Sequence, residues 1–211
     1  MTAVPAREGH VEADGLAIPY VEAGQGTPVV HLQGLDRPRL TPAHELLARQ
    51  YRVIAFGEPP ADAACSRPEL ASTLAVAISK LGVDTFNLVG SSAGAAVALW
   101  LALQARERVL ALVLEAPVAI GQGEDGDDLE SRLEELPTPT LVLFGTRDTV
   151  VAPDTARVYK ARIPSCHLVF VYDAAHAIAV DRPEAFTEVV VDFLERHEAF
   201  VISRTATVIN P

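Results

Sequence analysis

The sequence predicts an α/β fold: a mostly parallel, doubly wound sheet with helices on both faces. Three observations carry this. Short apolar runs such as PVVHL, YRVIAF and VLALVL alternate with segments of helical spacing from Pro28 onward. That alternation makes a parallel sheet with right-handed crossovers. The chain has 211 residues, 49% of them hydrophobic, which suits one domain (1–211) with a sizeable core. Turn and stop signals separate several of the runs, as at Gly24-Gln25-Gly26 and Gly82.

The elements follow in order. Residues 10–22 alternate around Asp14-Gly15 and read as a hairpin. Gly24-Gln25-Gly26 is a turn, and strands are expected at 28–32 and 51–56. Residues 69–81 have helical spacing, stopped by Gly82. A strand at 86–89 runs into VGSSAG, and the Ala- and Leu-rich segment 93–104 reads as a helix. A strand at 109–114 precedes a glycine-rich acidic stretch, 121–128, and a short helix is expected at 129–136. Strands at 139–144 and 167–172 flank a helix at 154–162. The last helix, 183–197, starts on Pro183 and collects Phe186, Val189, Val190, Phe193 and Leu194 on one face. Beyond it, 198–211 is rich in β-branched residues and is expected to form an edge strand, in cis or on a second copy of the chain, or a mobile tail.

The formal net charge of −11 argues against binding a nucleic-acid backbone or an anionic membrane. The N-terminus lacks the apolar core of a signal peptide, and no apolar run is long enough to span a bilayer. A soluble, cytoplasmic protein is expected. Cys65 and Cys166 are far apart and read as free thiols, with no metal or organic cofactor implied. The carboxylates between Glu124 and Glu135 face only Arg132 and read as a solvated, mobile loop without calcium-loop spacing.

In parallel sheets, sites gather at the carboxyl ends of strands. The segment Gly90-Ser91-Ser92-Ala93-Gly94 fits G-x-S-x-G with Ser92 at its centre, between a strand and a helix. Gly90 and Gly94 let that strand and helix approach closely. Asp148 follows the strand at 139–144, and His176 follows the strand at 167–172. A serine hydroxyl needs a base to take its proton. An imidazole can do so, and a carboxylate holds the imidazole in the right tautomer. The oxyanion formed on attack needs N–H donors: Ala93, just after the serine, and Leu35, in the Gln33-Gly34-Leu35 loop. Glu115, after the strand at 109–114, is the alternative acid, and Asp173 is disfavoured by its closeness to His176 in the chain. Ser91 is read as structural, and His31 is expected to point elsewhere.

These features resemble the α/β-hydrolase fold superfamily, in its small single-domain bacterial form. The resemblance covers about residues 11–197 and rests on VGSSAG, LFGTRD and AAHAIAVDRPEAF. It implies a serine hydrolase with Ser92, Asp148 and His176 as triad. The sequence departs from the family in three places. Gln33-Gly34 stands where a His-Gly pair is usual, Gly57-Glu58-Pro59-Pro60 replaces an Asp-containing loop, and only residues 115–138 occupy the place of a cap. The expected activity is carboxylesterase-like cleavage of small neutral acyl esters through an acyl-enzyme. The alternatives are a non-catalytic binding module on a hydrolase scaffold, or thioesterase, C–C bond hydrolase or lyase chemistry on the same triad. Pocket walls are expected from 35–41, 117–135 and 149–153, and a homo-oligomer could form through the tail.

Overall fold

The computed structural model describes residues 4–34, 37–57, 65–118, 126–152, 154–200 and 208–209. Their strands form one nine-stranded sheet in the order β1-β2-β4-β3-β5-β6-β7-β8-β9. The hairpin β1 (Ala6–Ala13) and β2 (Leu16–Ala23) turns at Asp14-Gly15, both at positive φ, as a tight two-residue connection requires. It joins antiparallel to β4 (Tyr51–Phe56). From β4 the sheet is parallel through β3 (Thr27–Leu32), β5 (Phe86–Ser91), β6 (Val109–Glu115), β7 (Thr140–Gly145) and β8 (Cys166–Val171).

The two-residue period of a strand sends alternate side chains to opposite faces, and two cores result. Val30, Ile54, Leu88, Leu112 and Val142 meet helices α2 (Arg67–Lys80), α3 (Gly94–Gln104) and α5 (Asp154–Arg162). Val29, Val53, Val89, Val113, Leu141 and Val169 meet α1 (Pro42–Leu47), α6 (Ile178–Asp181) and α7 (Pro183–Arg196). Helix α3 is buried along its length, so its alanines are the means of bringing it close to the sheet.

The structure corrects the expectation for the acidic stretch. Residues 119–125 lie outside the described residues, but Gly126–Arg132 form α4, followed by a 3-10 turn at Leu133–Glu135. Leu129 and Leu133 are buried in the α3–α5 core, which a solvated loop would not allow. The carboxylates also find cations from other elements: Arg162 pairs with Glu130 and Glu134, and Arg106 with Glu135. Helices α1 and α6 were not expected from the sequence. In the tail, Val208–Ile209 form β9, antiparallel to Phe170–Val171 of β8 in the same chain. Phe200 packs edge-on against His167 and Phe193. Among the described residues no helix is long and apolar enough to cross a membrane.

Candidate functional site

Strand β5 ends in Ser91, and the chain turns sharply at Ser92, whose φ of 51° lies in the left-handed region that a residue with a Cβ rarely adopts. Such a conformation costs about 1–3 kcal/mol and persists only where the surroundings enforce it. Here the Ser92 N–H donates to the Glu115 carbonyl at 2.9 Å on the neighbouring strand. The flanking glycines allow the turn to close. A Cβ on Gly90 would lie 2.8 Å from Ala95 Cα, and one on Gly94 would lie 2.2 Å from the Leu32 carbonyl oxygen.

The structure brings Ser92, His176 and Asp148 together. Ser92 Oγ lies 3.0 Å from His176 Nε2, and His176 Nδ1 lies 2.9 Å from Asp148 Oδ2. The other carboxylate oxygen of Asp148 accepts the N–H groups of Val150 and Val151 at 2.8 and 3.1 Å. One oxygen thus anchors the acid to its loop, and the other is left for the imidazole. Gly145 makes the two loops adjacent, since a Cβ there would lie 2.3 Å from the carbonyl oxygens of Ala174 and Ala175. Asp173 instead pairs with Arg147 at 2.9 Å and faces Arg182.

Ala93 is exposed and caps helix α3; the N–H groups of Ala95 and Ala96 turn back on the Ser92 and Ala93 carbonyls at 3.2 and 3.4 Å, and the Ala93 N–H lies ahead of that turn. Leu35 lies outside the described residues, as does most of the loop after Gly57. Gln33 clamps the backbone of Arg39: its amide donates to the Arg39 carbonyl at 2.7 Å, and its carbonyl accepts the Arg39 N–H at 2.9 Å. The side chain that stands in place of the expected histidine thus shapes the next loop.

Two expectations are corrected. His31 does not point away from the site. It is buried, with Nε2 2.5 Å from Ser91 Oγ and Nδ1 2.6 Å from Nε2 of His44 on α1. Glu115 is not placed as an alternative acid for His176. Its carboxylate, 4% exposed, lies 2.5 Å from Ser91 Oγ and accepts the Ala179 N–H at 2.7 Å. Burial pushes the Glu115 carboxyl above the ordinary range, opposed by these hydrogen bonds and by His176. Burial pushes His31 well down, with His44 adding to the effect, and lowers His44 to about 4. The signal that could have found this group is the strand period. His31 shares a face with Val29, Ser91 with Val89, and Glu115 with Val113, while Ser91 pairs with Glu115 in register.

A cavity of about 150 Å³ opens beside Ser92, lined by His31, Thr41, Ser91, Glu115, His176 and Val180 among others. Arg39 and Thr41 fulfil the expected wall at 35–41. The segments 117–135 and 149–153 supply no described residue of this lining. The opposite wall comes instead from Ala177, Ala179 and Val180. The described part of the acidic segment therefore packs on the α3–α5 side and does not cover the site.

A sequence model of the family described as alpha/beta hydrolase fold matches residues 44–133. The chain is similar to the dihydrolipoyllysine-residue acetyltransferase component of the acetoin-cleaving system of Cupriavidus necator, 30% identical over 119 residues. It is also similar to a Rhizobium rhizogenes protein named for carbamate hydrolysis, RutD, 41% identical over 68 residues. The matched regions cover 52% and 32% of this chain, but only 32% and 26% of those two proteins. The naproxen esterase (carboxylesterase NP) of Bacillus subtilis superposes with a TM-score of 0.78 at 14% identity, over 90% of this chain and 92% of that one. The sheet order, the strand-elbow-helix turn and these likenesses agree: the chain has the α/β-hydrolase fold.

Proposed function

We infer that the protein is a serine hydrolase of the carboxylesterase type, acting on small neutral acyl substrates. The observation that carries this is the continuous contact from Ser92 Oγ through His176 to Asp148, with Ser92 at the mouth of a cavity. The inferred reaction runs as follows. His176 Nε2 takes the Ser92 proton as Oγ attacks the carbonyl carbon, and Asp148 stabilises the imidazolium that forms. The oxyanion is held by the Ala93 N–H, with Leu35 as the expected second donor. His176 then protonates the leaving group, and water, activated by the same imidazole, releases the acid from the acyl-enzyme.

The cavity limits the acyl part. About 150 Å³ is close to what a benzene-sized group fills. Most polar side chains of the wall are engaged: Gln33 by the Arg39 backbone, His31 by His44 and Ser91, and Ser91 by Glu115. These contacts leave the Arg39 guanidinium out, so comparing neutral with anionic acyl chains tests the preference for neutral ones. The relative named for carbamate hydrolysis makes carbamate esters the second class to include in a substrate panel.

The test is stoichiometric labelling by a fluorophosphonate probe, with the modified residue mapped by mass spectrometry. Labelling at Ser92, lost in Ser92→Ala, together with turnover of short p-nitrophenyl esters, is expected. Folded protein that does not label would favour a non-catalytic binding module.

A further inference from the structure

The site holds a second carboxylate that the proposed reaction does not use, and its surroundings fix the direction of a chain of hydrogen bonds. The Thr41 N–H donates to His44 Nδ1 at 2.9 Å, so this nitrogen carries no proton. A neutral His44 then carries its proton on Nε2, which donates to His31 Nδ1 at 2.6 Å. His31 must in turn carry its proton on Nε2, which donates to Ser91 Oγ at 2.5 Å. The Ser91 hydroxyl is left to donate to Glu115 at 2.5 Å, and the Ala179 N–H donates to the other oxygen of that carboxylate. Each link determines the next, and every bond points toward Glu115.

We propose that Glu115 is a positioning residue, the terminal acceptor of a one-way hydrogen-bond chain from Thr41 through His44, His31 and Ser91. Its anchors tie the nucleophile turn to the His176 loop, and its charge favours the imidazolium of His176. Three contacts place it there. Its backbone carbonyl accepts the Ser92 N–H, and one carboxylate oxygen accepts the Ser91 hydroxyl. The other accepts the N–H of Ala179, three residues after His176. Residues on β3, α1, β5, β6 and the loop into α6 thereby converge on one buried charge. The titratable and charged groups around this cluster are His31 from β3, His44 from α1 and His176 after β8. Asp148 after β7 contacts His176, and Arg39 lies on the cavity wall. Asp181, from α6, is turned onto the Ala175 N–H at 2.9 Å.

The same arrangement explains why Ser91 does not compete with its neighbour. The nitrogen that faces Ser91 is a donor, so His31 cannot take the Ser91 proton. The nitrogen that faces Ser92 is free to accept, because Asp148 takes the proton-bearing nitrogen of His176.

This inference rests on the reading of Ser92 as nucleophile, so its test has one arm that depends on that reading and one that does not. In the first arm, the rate of fluorophosphonate labelling is followed from pH 5 to 9. Removing a nearby negative charge lowers the pKa of an imidazole. Glu115→Gln should therefore move the acid limb of the labelling rate down by about half a pH unit or more. It should also slow labelling at pH 8 by roughly tenfold, because the imidazolium is less stabilised. Glu115→Asp, which keeps the charge, should restore the position of the limb. In the second arm, nitrogen-15 spectra of the unmodified protein should show His31 and His44 neutral at pH 7, each protonated on Nε2. A wild-type acid limb and rate in folded Glu115→Gln overturns the proposal. So does either histidine protonated on Nδ1, and this reading stands even if Glu115→Gln does not fold. Wild-type protein that never labels sinks the nucleophile reading instead, and the spectra still decide the chain.

Discussion

Ser91 and Ser92 are adjacent in the chain, and each lies within hydrogen-bond reach of a histidine, but the two histidines meet them in opposite ways. His176 is a quarter exposed, its Nδ1 engaged by a buried Asp148, and its Nε2 faces Ser92 at the mouth of the cavity. His31 is buried between His44 and Ser91, and burial keeps it neutral. The two clusters hold the same residue types: serine, histidine and carboxylate. The difference lies in access and in the direction of the hydrogen bonds. A serine beside a donor nitrogen is held in place, whereas a serine beside an acceptor nitrogen can lose its proton. Residue identity alone does not assign a nucleophile.

The largest expected effect separates the two serines directly. Ser92→Ala should lower ester hydrolysis on the order of 10⁶-fold, as loss of a triad serine does elsewhere. Ser91→Ala should stay within about tenfold of wild type in labelling rate, while losing about 1–3 kcal/mol of stability from the unsatisfied partners left behind. Comparable losses of labelling in the two variants would break the distinction. Next in size is the acid. Asp148→Asn can still accept the Val150 and Val151 N–H groups but presents a donor to His176 Nδ1, which favours the wrong tautomer. Steady-state kinetics should show a fall in kcat of about 10⁴-fold. A fall of less than tenfold would return the acid's role to Glu115.

A third variant probes the contact between the Asp148 and His176 loops. In Gly145→Ala the new Cβ would lie 2.3 Å from two backbone carbonyl oxygens, so the loops must separate. A displacement near 1 Å at a reacting pair costs about 10²-fold. Activity should fall by that factor while fluorophosphonate still marks Ser92. An unchanged kcat would mean that the loops part without moving His176.

The two clusters were not equally legible in the sequence. Ser92, Asp148 and His176 each follow an apolar run, so chain order and local pattern were enough to bring them to one sheet edge. Their neighbours required knowledge of what covers the other face of the sheet. Helix α1 has six residues, too few for an apolar period to stand out, and its capping box uses His44 at the position where Glu or Gln is usual. Without α1 in place, His31 had no visible partner. Glu115 was noticed because it ends a strand, but its role depends on Ser91 in register beside it and on Ala179, 64 positions away. The parallel strands β3 to β8 were legible to within a few residues because burial on both faces makes them nearly continuous apolar runs, whereas the hairpin β1–β2 was read from its alternation. The acidic segment misled because its carboxylates outnumber its local cations, while the arginines that balance them come from α3's end and α5.

The smallest effect concerns stability and belongs to the buried cluster. His44 has its pKa lowered by burial to about 4 in the folded chain, against about 6.5 when unfolded. A group with a depressed folded pKa contributes stability that is fully present above its unfolded pKa and is lost as pH falls toward the folded value. His31, lowered in the same direction, adds to the same window. Glu115, raised by burial, opposes them there, because its protonation is easier in the folded chain. From pH 7 to pH 4.5 the protein should therefore lose stability, by at most about 3 kcal/mol from His44 alone, at 1.36 kcal/mol per pKa unit. Urea unfolding at the two pH values measures this. His44→Gln keeps an acceptor and a donor but does not titrate in this range, so its loss of stability between the two pH values should be smaller than in wild type. An equal loss would place the acid sensitivity outside the buried chain, and the contrast between the open histidine beside Ser92 and the closed, neutral pair would need to be redrawn.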